Sequence, residues 1–236
     1  MNDAAFGIKP ASSTTFVQVP IIREYDRVER LLKLIGKRKA FICGGYARFV
    51  CSQREKPKAC YDVDIYCHDE KTYKAMLNVL KKAGFVIKEE NVVCVVYKKE
   101  DTINRPVQLI KPVKDFKMLT VGKMEDILAN FDFTVARAGI LSSKHVLVDI
   151  DFPEDDKNAN LVVKNIHCPI SSSIRMMKYA KKGYMIRPRE VFKLFLDWEA
   201  RPIEYKQEII ELFAQSDAGI IDDVDILKLE RLLRRD

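Results

Sequence analysis

Two aspartates separated by one valine, Asp62 and Asp64, stand at the entrance to the apolar run Val63–Cys67. In an extended strand alternate side chains share a face, so both carboxylates project together, close enough to hold divalent cations. Metals held this way bridge a triphosphate, activate an attacking hydroxyl and neutralise charge that develops on the phosphoryl group. Upstream, Gly44 and Gly45 lie between a short apolar strand and a helix. Paired glycines let backbone N–H groups approach an anion, and a helix N-terminus adds partial positive charge there. Arg48, one turn into that helix, could reach a phosphate oxygen with its fork of donors. Each pattern alone also describes ordinary structure: a tight turn in one case, solvated acids at a strand end in the other. Their order and closeness are more specific than either.

The elements that must position these residues follow from periodicity. Glu24–Leu34 carries Val28, Leu31, Leu32 and Ile35 at helical spacing, and Gly36 stops it. Ala40–Cys43 reads as a strand, Ala47–Ser52 as a helix, Gln53–Cys60 as a polar loop and Val63–Cys67 as the next strand. Glu70–Ala83 is a helix closed by Gly84. Phe85–Lys88 and Val92–Lys98 resemble a hairpin, and Pro106–Ile110 is a further strand. Lys123–Asn130 is helical, followed by the apolar stretch Phe131–Leu141 and by His145–Ile150. Phe152–Asn160 reads as the clearest loop and a domain boundary. Beyond it, Ser171–Lys182, Arg189–Glu199, Ile203–Gln215 and Val224–Arg234 read as helices. The layout is an α+β head followed by an all-helical C-terminal region.

Composition sets the class. At 236 residues with 47% apolar residues, the chain can bury a substantial core and is globular. No apolar run is long enough to cross a bilayer. The stretch MNDAAFGIKPASSTTFVQVP lacks a basic start followed by an apolar segment, so it is not expected to be a secretory signal; it reads as a loose arm up to about Pro20. The expectation is a cytoplasmic protein with no membrane partner. Six cysteines without a CxxC pair behave as small hydrophobes in a reducing compartment. A zinc site from Cys67, His68, His167 and Cys168 would need ligand spacing that adjacent Cys–His pairs do not offer. The net charge of +7 favours an anionic partner. Lys178, Lys181, Lys182, Arg187 and Arg189, with Tyr179 and Tyr184, form a basic cluster that could grip a nucleic-acid backbone or stack a base, or simply be a solvated helix face. Phe192, Phe195 and Trp198 read as core residues.

The order strand, Gly-Gly, helix with Arg, short loop, then Asp-x-Asp entering a strand resembles the nucleotidyltransferase superfamily. Within it, the chain looks like the head and neck of class II CCA-adding enzymes and bacterial poly(A) polymerases. Their R-R-D-F-T-I-N motif is approximated by NFDFTVA at Asn130–Ala136, and their E-D-x-x-R by SSSIR at Ser171–Arg175. Their L-G-F-x-I-x-P is approximated by GYMIRP at Gly183–Pro188. The likeness spans roughly Ala40 to Pro188, patchily between the motifs.

The resemblance implies a polymerase-beta-like mixed-sheet head over 23–155, after an N-terminal arm at 1–22, and a helical neck-like region over 156–236. It implies that Gly44, Gly45 and Arg48 bind the triphosphate, and that Asp62 and Asp64 are the catalytic, metal-binding carboxylates. Asp132 would contact the nucleotide near its ribose, Arg175 would face the base, and Lys178 lies beside them. Gln108 occupies the place of a third metal-binding acid. The implied activity moves NMP from an NTP to a hydroxyl, first of all a tRNA 3′ end, with Mg²⁺ or Mn²⁺. The chain departs from the pattern at Phe49, Asn130, Phe131, Ala136, Ser171, Ser172 and Gln108. Those changes favour the alternative of a catalytically inactive fold that binds nucleotide or RNA as a regulator or assembly component.

Overall fold

The computed structural model describes residues 16–59, 62–91, 93–99, 103–112, 114–115 and 118–214. The first half alternates strands and helices: β1 (Phe16–Pro20), α1 (Tyr25–Ile35), β2 (Ala40–Cys43), α2 (Gly45–Cys51), β3 (Val63–Cys67), α3 (Glu70–Lys82), β4 (Val86–Glu90), β5 (Cys94–Lys99) and β6 (Ile103–Ile110). A short antiparallel pair, β7 (Lys114–Asp115) and β8 (Met118–Leu119), precedes α4 (Met124–Ala129). A 3₁₀ turn at Thr134–Ala136 then leads to β9 (Ala138–Ile140), β10 (His145–Asp149), α5 (Phe152–Lys157), β11 (Asn160–Leu161), α6 (Pro169–Lys181), β12 (Met185–Ile186), α7 (Pro188–Glu199) and α8 (Ile203–Ala214).

Among the described residues, eight strands form one mixed sheet in the order β1-β10-β9-β2-β3-β6-β5-β4. Its one parallel pairing joins β3 to β6 and sets Asp64 beside Gln108. Strand alternation then sorts the residues by face. Ala40 and Ile42, Val63 and Ile65, Val107 and Leu109, and Val95 and Tyr97 point into the main core with the apolar stripes of α1, α2 and α3. The opposite face carries Cys43, Tyr66, Cys94, Val96 and Ile110, and α4 covers part of it with Met124, Ile127 and Leu128. Asp62, Asp64 and Gln108 therefore belong to the face that α1–α3 leave open. A second, smaller core joins Phe133 and Val135 to Met176, Tyr179, Tyr184 and Leu194, which docks α6 and α7 against the segment after α4.

The expected α+β head followed by helices is what the structure shows, with three local corrections. Phe16–Pro20, expected in the loose arm, is a strand paired residue for residue with β10, with Val17 and Val19 packed on the main core. Phe152–Asn160, expected as a loop, begins with helix α5. Pro153 sits in its first turn, where its missing N–H costs nothing, and Phe152, Asp155 and Asp156 are buried. Phe192 and Phe195, expected in the core, are 56% and 60% exposed. Helix α7 instead turns Leu194 and Glu190 inward, and the buried Glu190 carboxylate accepts the Val163 N–H at 2.8 Å. The rest of the expected arm before Phe16 and the expected helix Val224–Arg234 lie outside the described residues.

Candidate nucleotide and metal site

Strand β2 ends at Cys43, and the chain turns through Gly44 at φ 79°, ψ −135°, a conformation that side chains resist. A Cβ there would stand 3.5 Å from Asp64 Oδ2 and from the Phe131 ring, so glycine also keeps the space beside the carboxylate clear. The Gly44 N–H is already given to Ala138 O at 2.7 Å. Gly45 opens α2, which at seven residues is too short for its terminus to make an anion site by itself.

Asp64 lies in register between Cys43 on one side and Gln108 on the other. Gln108 Nε2 donates to Asp62 Oδ2 at 3.1 Å, and its Oε1 accepts a long contact from Cys94 Sγ at 3.9 Å. The three polar residues are thus one cluster. Burial first, and then the neighbouring Asp62 charge, push the Asp64 carboxyl well above the usual aspartate range, while Lys182 pulls it back. Cys94, on the same face, is pushed up to about 11 by burial, with both aspartates adding to it. A strand face that crowds two carboxylates in this way favours a bound cation.

Arg48 is placed elsewhere. Its side chain is fully buried beneath the turn, with Nη1 donating to the Tyr184 hydroxyl at 3.1 Å and Nη2 to Lys58 O at 3.4 Å. Burial works against its charge, but Tyr184, Tyr179 and Asp156 outweigh that and its pKa stands raised. The Tyr184 hydroxyl in turn donates to Asp156 Oδ1 at 2.5 Å, and Asp156 Oδ2 accepts from Ser52 Oγ at 2.7 Å and Gln53 N at 3.1 Å. This buried chain ties α2 and the loop after it to α5 and to the turn after α6. Tyr179 and Tyr184 are buried as well, their rings edge to face at 5.4 Å, so neither offers an open stacking platform.

Asp132 and Arg175 do come together. Asp132 Oδ2 accepts from Arg175 Nε at 2.7 Å and from Ser172 Oγ at 2.8 Å. Ser172 stands where the resembling family carries an acid; a hydroxyl can donate to Asp132, whereas a second carboxylate would repel it. The backbone of Asp132 is fixed too, its carbonyl accepting from Lys164 N at 2.7 Å. Phe131 brings this segment to the carboxylates, its ring beside Gly44 and 5.6 Å from the Tyr66 ring. Along α6 and its C-terminal cap, Arg175, Lys178 and Lys182 recur at i, i+3 and i+7. Sequence reading named Lys182 only as part of a basic cluster, and it did not find the Arg48–Tyr184–Asp156 chain.

The model of the Gabija anti-defense 2 family matches residues 18–158 of this chain. No curated protein matches it. Among solved structures, the chain is similar to the Bacillus stearothermophilus CCA-adding enzyme in complex with CTP, at 13% identity and a TM-score of 0.53 over 73% of this chain and 43% of that one. It is also similar to a CCA-adding enzyme with ATP, at 13% identity and a TM-score of 0.53 over 92% of this chain and 54% of that one. A tRNA-processing enzyme in its apo form matches at 16% identity and a TM-score of 0.50, over 91% of this chain and 58% of that one. The chain spans about half the length of these structures. The shared property is a nucleotidyltransferase-like fold.

Proposed function

The chain belongs to the Gabija anti-defense 2 family, and we propose that it works there as a metal-dependent nucleotidyltransferase. The reaction moves NMP from an NTP to a hydroxyl acceptor and releases pyrophosphate. The observation that carries this reading is the Asp62–Asp64 pair on the open face of β3, beside Gly44 and within the field of Lys182. The donor set fits Mg²⁺ or Mn²⁺: two crowded carboxylates gain from a divalent cation, and Gln108 adds a neutral amide oxygen if its amide turns over from Asp62. Bound there, the metal supplies neutralisation of the triphosphate and of charge developing on the transferred phosphorus.

The protein's own groups have separate tasks. Gly44 and Gly45 leave room for the triphosphate next to Asp64. Asp132 grips Arg175 through Nε and thereby orients the rest of the guanidinium towards the nucleotide. Lys178 adds positive charge on the same helix face. Arg48 supports the glycine turn from below. A cytoplasmic RNA 3′ end is the first acceptor to test, tRNA foremost. The net charge of +7 and the names of the CCA-adding and tRNA-processing neighbours support that choice. Among the described residues no helix is long and apolar enough to cross a membrane.

A second reading, a silent fold that binds nucleotide or RNA without reacting, draws on Gln108. An amide that donates to Asp62 stands where a third acid would otherwise supply charge. One experiment separates the two. The protein is incubated with each α-³²P-labelled NTP, Mg²⁺ and total RNA or protein extract, beside the Asp62→Ala/Asp64→Ala variant. Label appearing in one fraction with wild type alone supports transfer and names the acceptor class. Equal labelling by both proteins would sink it, and nucleotide binding without any label favours the silent fold.

A further inference from the structure

The apolar residues that helix α7 turns outward have a symmetry of their own. Val191, Phe192, Phe195 and Leu196 are all exposed. They are arranged evenly about the midpoint of Lys193 and Leu194: reading the helix backwards exchanges Phe192 with Phe195 and Val191 with Leu196. Pro188 and Glu199 stand at the two ends of the same stripe, which runs i, i+4, i+7 and i+11. With Ile186 of β12, Pro188, Val191, Phe192 and Phe195 line a groove of about 400 Å³. The inner side of α7 is already taken. Leu194 packs with Met176 and Tyr179 of α6, and Glu190 holds the Val163 N–H.

The charges at the ends of the stripe are opposite and exposed. The Arg189 side chain is 77% exposed at the start of α7, and the Glu199 side chain is 75% exposed at its end. Arg189 Nε lies 3.2 Å from its neighbour Glu190, and Glu199 lies 3.6 Å from Lys206 Nζ. Exposed pairs of this kind are worth little, so both side chains can take a better partner. A helix face with mirrored apolar residues and opposite end charges is complementary to itself. In a twofold pair of antiparallel α7 helices, Phe192 of each copy meets Phe195 of the other, and Arg189 meets Glu199 at both ends. A parallel pair would set Arg189 against Arg189 and Glu199 against Glu199.

We propose that the outer stripe of α7 seats a second copy of this chain, docked antiparallel about a twofold axis that passes between Lys193 and Leu194. Four phenylalanine rings, two from each copy, make the centre of the contact, and two Arg189–Glu199 pairs close its ends. Large apolar side chains grouped on a surface and rimmed by charge mark a protein contact rather than a solvated helix face. Charge complementarity selects the second copy. The occupant must present the opposite order of charge along the stripe, and an antiparallel copy of α7 does so by itself. The inference stands apart from the reading of the carboxylate site.

Sedimentation equilibrium of the full chain over a range of concentrations is the test. Wild type should dimerise. Phe192→Asp/Phe195→Asp should stay monomeric with an unchanged melting point, because both rings are exposed in the single chain. Arg189→Glu and Glu199→Arg should each weaken the dimer about tenfold or more, since like charges then meet at both ends. An equimolar mixture of those two variants should pair again, and so should the chain that carries both changes, because opposite charges face each other once more. A wild type that stays monomeric at every concentration overturns the proposal and leaves the stripe to residues 215–236 or to another protein. A dimer that survives the phenylalanine changes, or that the charge exchange fails to restore, overturns it as well.

Discussion

Asp64 shows what a buried carboxyl crowded by a second one costs its own fold. Its carboxyl is raised by burial and by Asp62, so the folded state holds its proton more tightly than the unfolded chain does. Stability linked to this group is present near the ordinary aspartate pKa and is lost as pH rises through the raised value. Asp64→Asn removes that loss. The metal-free variant should melt roughly 2–4 °C above wild type at neutral pH, with the difference vanishing towards pH 4. Calorimetric scans across that range check it, and an unchanged or lower melting point at pH 7 would contradict it. Asp62 and Asp64 were legible in the sequence because a one-residue spacing in a strand decides their shared face. Arg48 was legible as a residue but not as a role. Its partner Tyr184 lies 136 positions away, and local spacing carries no information about that meeting.

At the scale of elements, the α6 turn and the α2–β3 loop behave as one unit because buried polar groups join them. Tyr184→Phe keeps the ring and deletes the hydroxyl shared by Arg48 and Asp156, both of which stay buried. The expected loss is about 2 kcal/mol, read from urea unfolding. A variant within about 0.5 kcal/mol of wild type would show that the hydroxyl is dispensable. The glycine turn is exacting in a different way: Gly44→Ala places a methyl group in a conformation it resists and beside Asp64, and should cost about 1–3 kcal/mol by the same measurement. Helices and strands were legible wherever one face met the main core, as along Val28, Leu31 and Ile35. Three segments were not. Phe16–Pro20 is a strand because β10 pairs with it, and its polar upstream neighbours concealed that. Phe152–Asn160 reads as a loop, although Pro153 sits in the first turn of a helix, where its missing N–H costs nothing. The spacing of Phe192 and Phe195 describes a helix face without saying which face finds a partner, and the buried Glu190–Val163 bond chose the other one.

For the whole molecule, the sheet brings two carboxylates, a glycine turn and an amide to one open face, and the helical region ties Arg175 of α6 to Asp132, next to the Phe131 ring that stands beside Gly44. The family carries the name Gabija anti-defense 2, which makes relief of Gabija defence the setting in which to test that arrangement. The central proposal is that the carboxylate pair, rather than some other surface of the chain, is the working site. The direct measurement is relief of Gabija defence in cells that express wild type or Asp62→Ala/Asp64→Ala at matched levels of folded protein. The account predicts that the double variant, folded and equally abundant, gives no relief. Full relief by that variant would contradict it.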